Sequence, residues 1–399
     1  MTLSHSTVTD LFTDIAEAIR LKTGGTSSIV ADTFPSAINS IQLGVSQEEY
    51  NVMKMALMRR KLGNLDAGTG LYLDSSTHVN AGGFACVSQG WLDDIIYLGA
   101  YAFAGQSFMS GDFQFTNLKN LASYTFKSLY MSSYALLFPA LSYVQAYAFE
   151  GASIYDVRLS IATSIYEAAF AQCTHLSTVS MPECTNLSLR AFISCNSLES
   201  IYAPKLQQIG LNAFAYCSKL QEMSLSQCTT ISGAFGHCSR LTSVNLPVCT
   251  GLGSSTFYDC AAIINVSAPQ AAFVNASCFT LCTALSQIDL PKCSVIGSSA
   301  FYRCSSLQTI SIGSSTSDRV TISVSAFYQN HNLLSLYLLG SATEVASLAN
   351  VNVFMQSPIS NSTASTGGVH GSIFVPSSMY NAYIASTNWV TYADRFVSV

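Results

Sequence analysis

The sequence predicts a repeat solenoid that is mostly β, with a small α-helical part, and two observations carry this prediction. The first is a phenylalanine that returns along the 399-residue chain in steps of mostly 21 to 23 residues, widening to about 26 towards the C-terminal end. The anchors are Phe103, Phe126, Phe149, Phe170, Phe192, Phe214, Phe235, Phe257, Phe279, Phe301, Phe327 and Phe354. The second is an apolar pattern after each anchor, such as Leu307, Ile310 and Ile312. A fixed period of this size predicts stacked units.

Each repeat contains one predicted strand, for which Leu176 to Met181 is a good example. Leucine, valine and methionine at its first, fourth and sixth positions face inward, whereas the third and fifth residues face outward, because side chains alternate along a strand. The remainder of the repeat is expected to turn back, with the anchor phenylalanine filling the interior. The period and the L-x-x-I-x-L core indicate a right-handed leucine-rich-repeat solenoid with short strands on its concave face.

The repeats are flanked by segments of different pattern. An amphipathic spacing in Val8, Leu11, Ile15 and Ile19 predicts a helix near the start of the chain. We expect five parts, which are a helical module at 1–44, a helix and linker at 45–65, a capping entry segment at 66–101, about 11 to 12 repeats at 102–359, and a loop with a C-terminal cap at 360–399.

Composition excludes several classes of function. Charged residues make up 10% of the chain and the net charge is −5, without a basic patch, so no nucleic acid is expected as a partner. No apolar run approaches the length of a membrane span, so we expect no membrane insertion. Residues 1–20 contain acids and lack the basic and apolar regions of a Sec signal peptide, so none is expected.

The thirteen cysteines have two alternative interpretations, which are pairing in disulfides and burial as free thiols. One set lies three residues after an anchor and comprises Cys173, Cys195, Cys217, Cys238, Cys260, Cys282 and Cys304. A second set lies fourteen residues after an anchor and comprises Cys184, Cys228, Cys249 and Cys293. Equivalent positions of a solenoid stack, so we expect two columns of reduced cysteines that pack as small apolar residues. The absence of a C-x-x-C pair argues against a zinc site.

The sequence contains no recognisable catalytic motif. None of the six histidines is expected to have an acid or a nucleophile at an equivalent position of a neighbouring repeat. A phosphate-binding loop, a zinc-protease motif and a nucleophile elbow are all absent. We therefore expect no enzyme activity and no cofactor.

The outward strand positions form the best candidate for a contact surface. They are polar and nearly uncharged, and the residues expected to bind are Tyr202, Glu222, Asn245, Asn265, Gln287, Asp289 and Tyr337. Hydroxyl and amide groups on an extended concave sheet suit a glycan or a protein. The alternative is that small polar residues only keep the sheet soluble.

The repeat A-F-x-x-C-x-x-L-x-x-I-x-L-P-x-C-x-x-I resembles that of the BspA-like (treponemal-type) leucine-rich repeat family across residues 102–359. The block that contains Ile373, Tyr383 and Trp389 is similar to the closing segment of that family and predicts a strand, a helix and a tryptophan-anchored cap. This resemblance implies a non-enzymatic recognition protein.

Residues 14–24 and 34–41 resemble the N-termini of phage tail and prophage structural proteins. That resemblance implies a virion protein of the tail-fibre type, which binds a bacterial surface glycan or protein and forms oligomers or attaches to the virion through residues 1–62. The alternative is a BspA-like adhesin on the bacterial cell surface that binds proteins of a host or of neighbouring cells.

Overall fold

The chain divides into two compact units, Met1–Leu73 and Asp74–Val399. The computed structural model describes residues 71–73, 92–93, 95–105, 107–108, 112–131, 135–313, 319–340, 343–360 and 370–399. Of the first unit it describes strand β1 (Leu71–Leu73). The predicted helices of residues 1–65, the phage-like segments and most of the entry segment and of the loop after Ser360 lie outside the described residues.

The second unit is a solenoid of about 13 turns built on parallel strands, which confirms the predicted fold class. Its longer strands form sheet A, which consists of three sections that follow one another along the solenoid. The strands of sheet A are β4 (Phe113–Gln114), β7 (Ala135–Phe138), β9 (Asp156–Leu159), β11 (Thr178–Ser180), β13 (Ser200–Tyr202), β15 (Glu222–Ser224), β17 (Ser243–Asn245), β18 (Asn265–Ser267), β20 (Gln287–Leu290), β22 (Thr309–Ile312), β24 (Ser335–Leu338), β26 (Ser372–Val375) and β27 (Phe396–Ser398).

Each typical repeat also contributes to a second parallel sheet, sheet B, where the sequence predicted only a turn back. Its strands are β2 (Ile95–Leu98), β5 (Asn120–Leu121), β8 (Tyr143–Val144), β10 (Ser164–Ile165), β12 (Asn186–Leu187), β14 (Gln208–Ile209), β16 (Thr230–Ile231), β19 (Phe273–Val274), β21 (Val295–Ile296), β23 (Thr321–Ile322) and β25 (Ser347–Leu348). Most of these strands have two residues, of which one is buried, so they are too short to show the alternation that identifies a strand in a sequence.

A third parallel pair, β3 (Ser107–Phe108) and β6 (Tyr130–Met131), lies in the first repeats. It continues to Ser153 through a single bridge from Tyr130. Among the described residues, this extra pairing is confined to repeats that come before the cysteine columns in the chain.

The twelve anchor phenylalanines form a continuous stack through the interior. All are fully buried, and successive rings lie 4.8 to 5.7 Å apart with interplanar angles of 1° to 17°. Burial of each ring stabilises the fold by about 1.5–3 kcal/mol before entropy is counted. The predicted anchor Phe354 is confirmed as the last ring of the stack.

Both predicted cysteine columns are confirmed, and the twelve cysteines that the structure describes are buried and free. The first column also makes a contact that the sequence did not predict. The thiol of Cys195 donates to the carbonyl oxygen of Phe170 (3.1 Å), and the six other members donate to the equivalent carbonyl of the preceding repeat. In the second column the thiol bonds within its own repeat, as from Cys184 to the carbonyl of Asn186 (3.5 Å). These cysteines are therefore polar donors as well as apolar packing groups.

Two left-handed residues flank every anchor from Phe103 to Phe327 and turn the chain around it. Arg190 (φ 57°) and Ser194 (φ 59°) lie two residues before and after Phe192. The amide groups of all three donate to carbonyls of the following repeat, those of Leu211, Ala213 and Ala215. Most of these positions are not glycine, so each carries a conformational cost on the order of 1 kcal/mol that the hydrogen bonds between repeats offset.

The C-terminal cap closes the stack as predicted. Strand β26 is followed by helix α1 (Tyr380–Ala385), a 3-10 helix at Trp389–Arg395, and β27. Trp389 is buried, and its indole N–H donates to the carbonyl of Ala346 (2.6 Å). The ring of Tyr392 stands at 88° to that of Phe354, 5.4 Å away.

Candidate binding surface on sheet A

From the repeat of Phe170 to that of Phe327, the residues eight and ten positions after the anchor face away from the core of the solenoid. In β15, Glu222 and Ser224 are exposed while Met223 between them is buried, and β18 and β20 show the same alternation. This follows from the two-residue period of a strand.

These positions form two rows along sheet A, and within each of its three sections the paired strands align them without a shift of register. Row 8 consists of Thr178, Ser200, Glu222, Ser243, Asn265, Gln287, Thr309 and Ser335. Row 10 consists of Ser180, Tyr202, Ser224, Asn245, Ser267, Asp289, Ser311 and Tyr337. At about 4.8 Å per strand, eight strands extend over roughly 34 Å.

All seven residues expected to bind lie in these rows. Row 8 contains Glu222, Asn265 and Gln287, and row 10 contains Tyr202, Asn245, Asp289 and Tyr337. Six are exposed, with Tyr202 at 61%, whereas Tyr337 is half-buried. The predicted outward orientation is therefore confirmed, and a role in binding stays a prediction.

The rows continue beyond the residues that the sequence indicated. At one end lie Asp156 and Arg158, which pair with Thr178 and Ser180 of β11. They were not predicted because the repeat of Phe149 is one residue short, which shifts their distance from the anchor by one residue. At the other end Phe374 pairs with Tyr337. The alternation in Ser372 to Val375 is the signal that could have placed Phe374 in row 10.

The charge of this surface is weakly negative. Arg158 is neutralised by Asp156 (2.9 Å), which also accepts a hydrogen bond from Thr178 (2.7 Å). Within the described part of the chain, neither Glu222 nor Asp289 is joined to a cation. The two rows thus present two unpaired carboxylates and no unpaired cation.

The expectation that no histidine has an acid at an equivalent position is wrong for His237. It lies two residues after Phe235, and Asp259 lies two residues after Phe257. Their side chains are 2.9 Å apart, from Nδ1 to Oδ2, and the ring of Tyr216 stacks on His237 at 4.5 Å. The apolar pattern of the repeat does not predict this pair, because both residues occupy left-handed turn positions. The cluster lies at a turn, away from rows 8 and 10.

Two further classes of site are absent from the described residues. Nowhere among them do three or more histidine, cysteine or acidic side chains come together as a metal site would require. Within the same residues, no helix has both the length and the apolar character needed to cross a bilayer.

The chain is similar to known proteins chiefly through its repeats. The family model of the BspA type leucine rich repeat region matches in overlapping segments, residues 96–221, 142–264 and 207–334, which together cover 96–334. This is more than half of the chain. No curated protein sequence matches it.

Solved structures give more distant similarities. A leucine-rich repeat protein from Bacteroides ovatus is 19% identical over 61% of this chain and 82% of its own, with a TM-score of 0.36. A leucine rich cell surface protein from Faecalibacterium prausnitzii is 16% identical over 72% and 92%, with a TM-score of 0.27. The pneumococcal vaccine antigen PcpA is 12% identical over 84% and 89%, with a TM-score of 0.42. These similarities are too distant to support an argument about function.

Proposed function

Because the chain belongs to the BspA type leucine-rich repeat family, we propose that it is a non-enzymatic adhesin of the bacterial cell surface that binds a protein through rows 8 and 10 of sheet A. Leucine-rich repeat proteins generally mediate protein–protein interactions, and extended solenoid faces are how they bind. The family supports a role in adhesion.

One observation carries the choice of surface. Rows 8 and 10 are the outward face of successive longer strands, and six of the seven candidate residues are exposed. A rigid face of this kind orders no loops when it binds, so it avoids the part of the entropy cost of association that comes from ordering the backbone. Tyr202 is an exposed aromatic residue of the kind that dominates protein interfaces.

The test compares two triple variants of the full chain. Tyr202→Ala/Asn245→Ala/Asp289→Ala alters row 10, and Asn186→Ala/Gln208→Ala/Thr230→Ala alters the outward side of sheet B. Binding is measured on an array of purified extracellular-matrix and bacterial surface proteins, with a glycan array in parallel.

We expect the row 10 variant to lose at least tenfold in affinity for the bound protein, while the sheet B variant binds as the unaltered chain does. Equal loss in both variants, or binding to glycans alone, would contradict the proposal. Circular dichroism of both variants establishes that the fold is kept.

A second candidate is a phage tail protein of the receptor-binding type, because residues 14–24 and 34–41 resemble such proteins. We propose that residues 1–62 attach the solenoid to a larger assembly in either case. Cell fractionation after prophage induction separates the two. Recovery with the envelope supports the adhesin, whereas sedimentation with particles supports the virion protein.

A further inference from the structure

Row 10 changes character near the C-terminal end of sheet A. In register across five neighbouring strands lie Asp289, Ser311, Tyr337, Phe374 and Val397. The row therefore passes from a carboxylate, through a hydroxyl group, to three apolar side chains. At about 4.8 Å per strand it is roughly 19 Å long.

The apolar end is a contiguous patch. Tyr337 and Phe374 stack with ring centroids 4.4 Å apart and an interplanar angle of 11°, and Val397 beside them is 39% exposed. Leu339 and Pro376, two residues after Tyr337 and Phe374 and just beyond the ends of β24 and β26, are half-buried. From β11 to β22 the rows hold one aromatic residue, Tyr202, among polar residues. A contiguous apolar patch next to a polar face is typical of an interaction site.

The carboxylate at the other end is available to a partner. Asp289 is exposed, and no side-chain hydrogen bond or ion pair links it to another described residue. The outward residues of β20, β22, β24, β26 and β27 include no cation. A cationic group of a partner would therefore meet no like charge among these outward residues.

We propose that this strip, Asp289 to Val397, binds an extended polypeptide segment that carries a lysine or arginine followed by two apolar side chains. The inference rests on the proposed protein-binding function and specifies the partner's chemistry. Side chains at alternate positions of an extended segment face one way and repeat every 6.6–6.8 Å. A cation at position i over Asp289 then places i+4 at about 13 Å, between Tyr337 and Phe374, and i+6 at about 20 Å, at Val397.

The stacked rings favour apolar side chains over a sugar as the occupant. A sugar ring stacks on a free aromatic face, and the inner faces of Tyr337 and Phe374 are not free because they cover each other. Rings that stack along a row of a sheet stand roughly perpendicular to it and show their edges to solvent. Aliphatic and aromatic side chains pack against such edges.

The experiment selects peptides on the full chain from a display library of random 16-residue sequences. Enriched peptides are synthesised, and their affinity is measured for the unaltered chain and for Asp289→Ala, Tyr337→Ser/Phe374→Ser, Tyr202→Ser and the control Tyr130→Ser. The control removes an exposed aromatic group outside rows 8 and 10, whereas Tyr202→Ser tests the part of row 10 that lies four strands before Asp289. Thermal unfolding confirms that each variant is folded.

We expect enriched peptides to carry a basic residue with apolar residues four and six positions later. Binding should weaken about tenfold in Asp289→Ala, at least tenfold in the double variant and less than twofold in the control. Peptides that depend on Tyr202 and not on Tyr337 and Phe374 would overturn this inference and leave the proposed function standing. Absence of any peptide, together with glycan binding, would overturn both.

Discussion

The thiol of Cys195 and the carbonyl oxygen of Phe170, 3.1 Å apart, belong to successive repeats. The same bond recurs from Cys173 to Cys304. Packing alone would allow any small apolar residue at this position. The cysteine column therefore also holds neighbouring repeats together through polar contacts. In a solenoid, such interface contacts govern how cooperatively the chain folds.

Cys195→Ala is expected to destabilise the protein more than Cys184→Ala. Both changes remove one buried sulfur atom, but Cys195 loses a bond between repeats and Cys184 a longer bond within its own. The expected difference is about 1 kcal/mol. Urea unfolding of the two variants measures it, and equal midpoints would show that the bond between repeats adds nothing.

Asn330→Cys is expected to stabilise the protein. Asn330 occupies the position of the first cysteine column, three residues after Phe327, where it is fully buried and both polar atoms of its amide lack partners. A cysteine removes that desolvation cost and restores the donor of the column, which is worth about 1–3 kcal/mol. Thermal unfolding measures the gain, with Asn265→Cys on the exposed face as control. An unchanged or lower melting temperature would contradict the expectation.

Gly210→Ala is expected to destabilise the protein by about 2 kcal/mol or more. A Cβ atom at Gly210 would lie 2.5 Å from the backbone carbon of Ser188, in the neighbouring repeat, so the two repeats would have to separate. Gly236 is the matched control, since a Cβ atom there meets nothing closer than the carbonyl of Tyr258, at 3.9 Å. The urea concentration at the midpoint of unfolding measures the effect. Similar values for the two variants would contradict the steric clash expected at Gly210.

Stability is expected to fall as the pH rises above 9. Burial raises the pKa of the Cys184 thiol from its usual 9.0 to about 11, and that of Cys228 to about 12. Because the folded-state pKa is the higher one, the contribution of these thiols is fully present below pH 9 and is lost as the pH rises towards the folded-state values. Urea midpoints between pH 7.5 and 10.5 measure the loss.

The matched control for the pH dependence is the triple variant Cys184→Ala/Cys228→Ala/Cys293→Ala. It lacks three of the thiols whose pKa values burial raises, so its midpoint should depend less on pH. If the urea midpoint changed with pH by the same amount in the unaltered chain and in the triple variant, the pH dependence would come from other groups.

The sequence predicts the interior of this fold better than its turns. The anchors and cysteines recur at fixed spacing because each has to meet its equivalent in the next repeat, so the Phe stack and both columns could be predicted. Strand β12 could not, since one buried residue, Leu187, gives no period. The pairing of His237 with Asp259 was missed for a related reason, because turn positions are set by backbone dihedral angles rather than by an apolar pattern.

Tyr392 ends the stack of parallel rings at the last anchor, Phe354. Every ring from Phe103 to Phe354 offers its successor a parallel face, so an added repeat would find a template wherever such a face is free. The ring of Tyr392, at 88° to Phe354, offers no parallel face. Gene duplications that lengthen the solenoid must therefore insert new units before Phe354, and the cap keeps its place while the number of repeats changes.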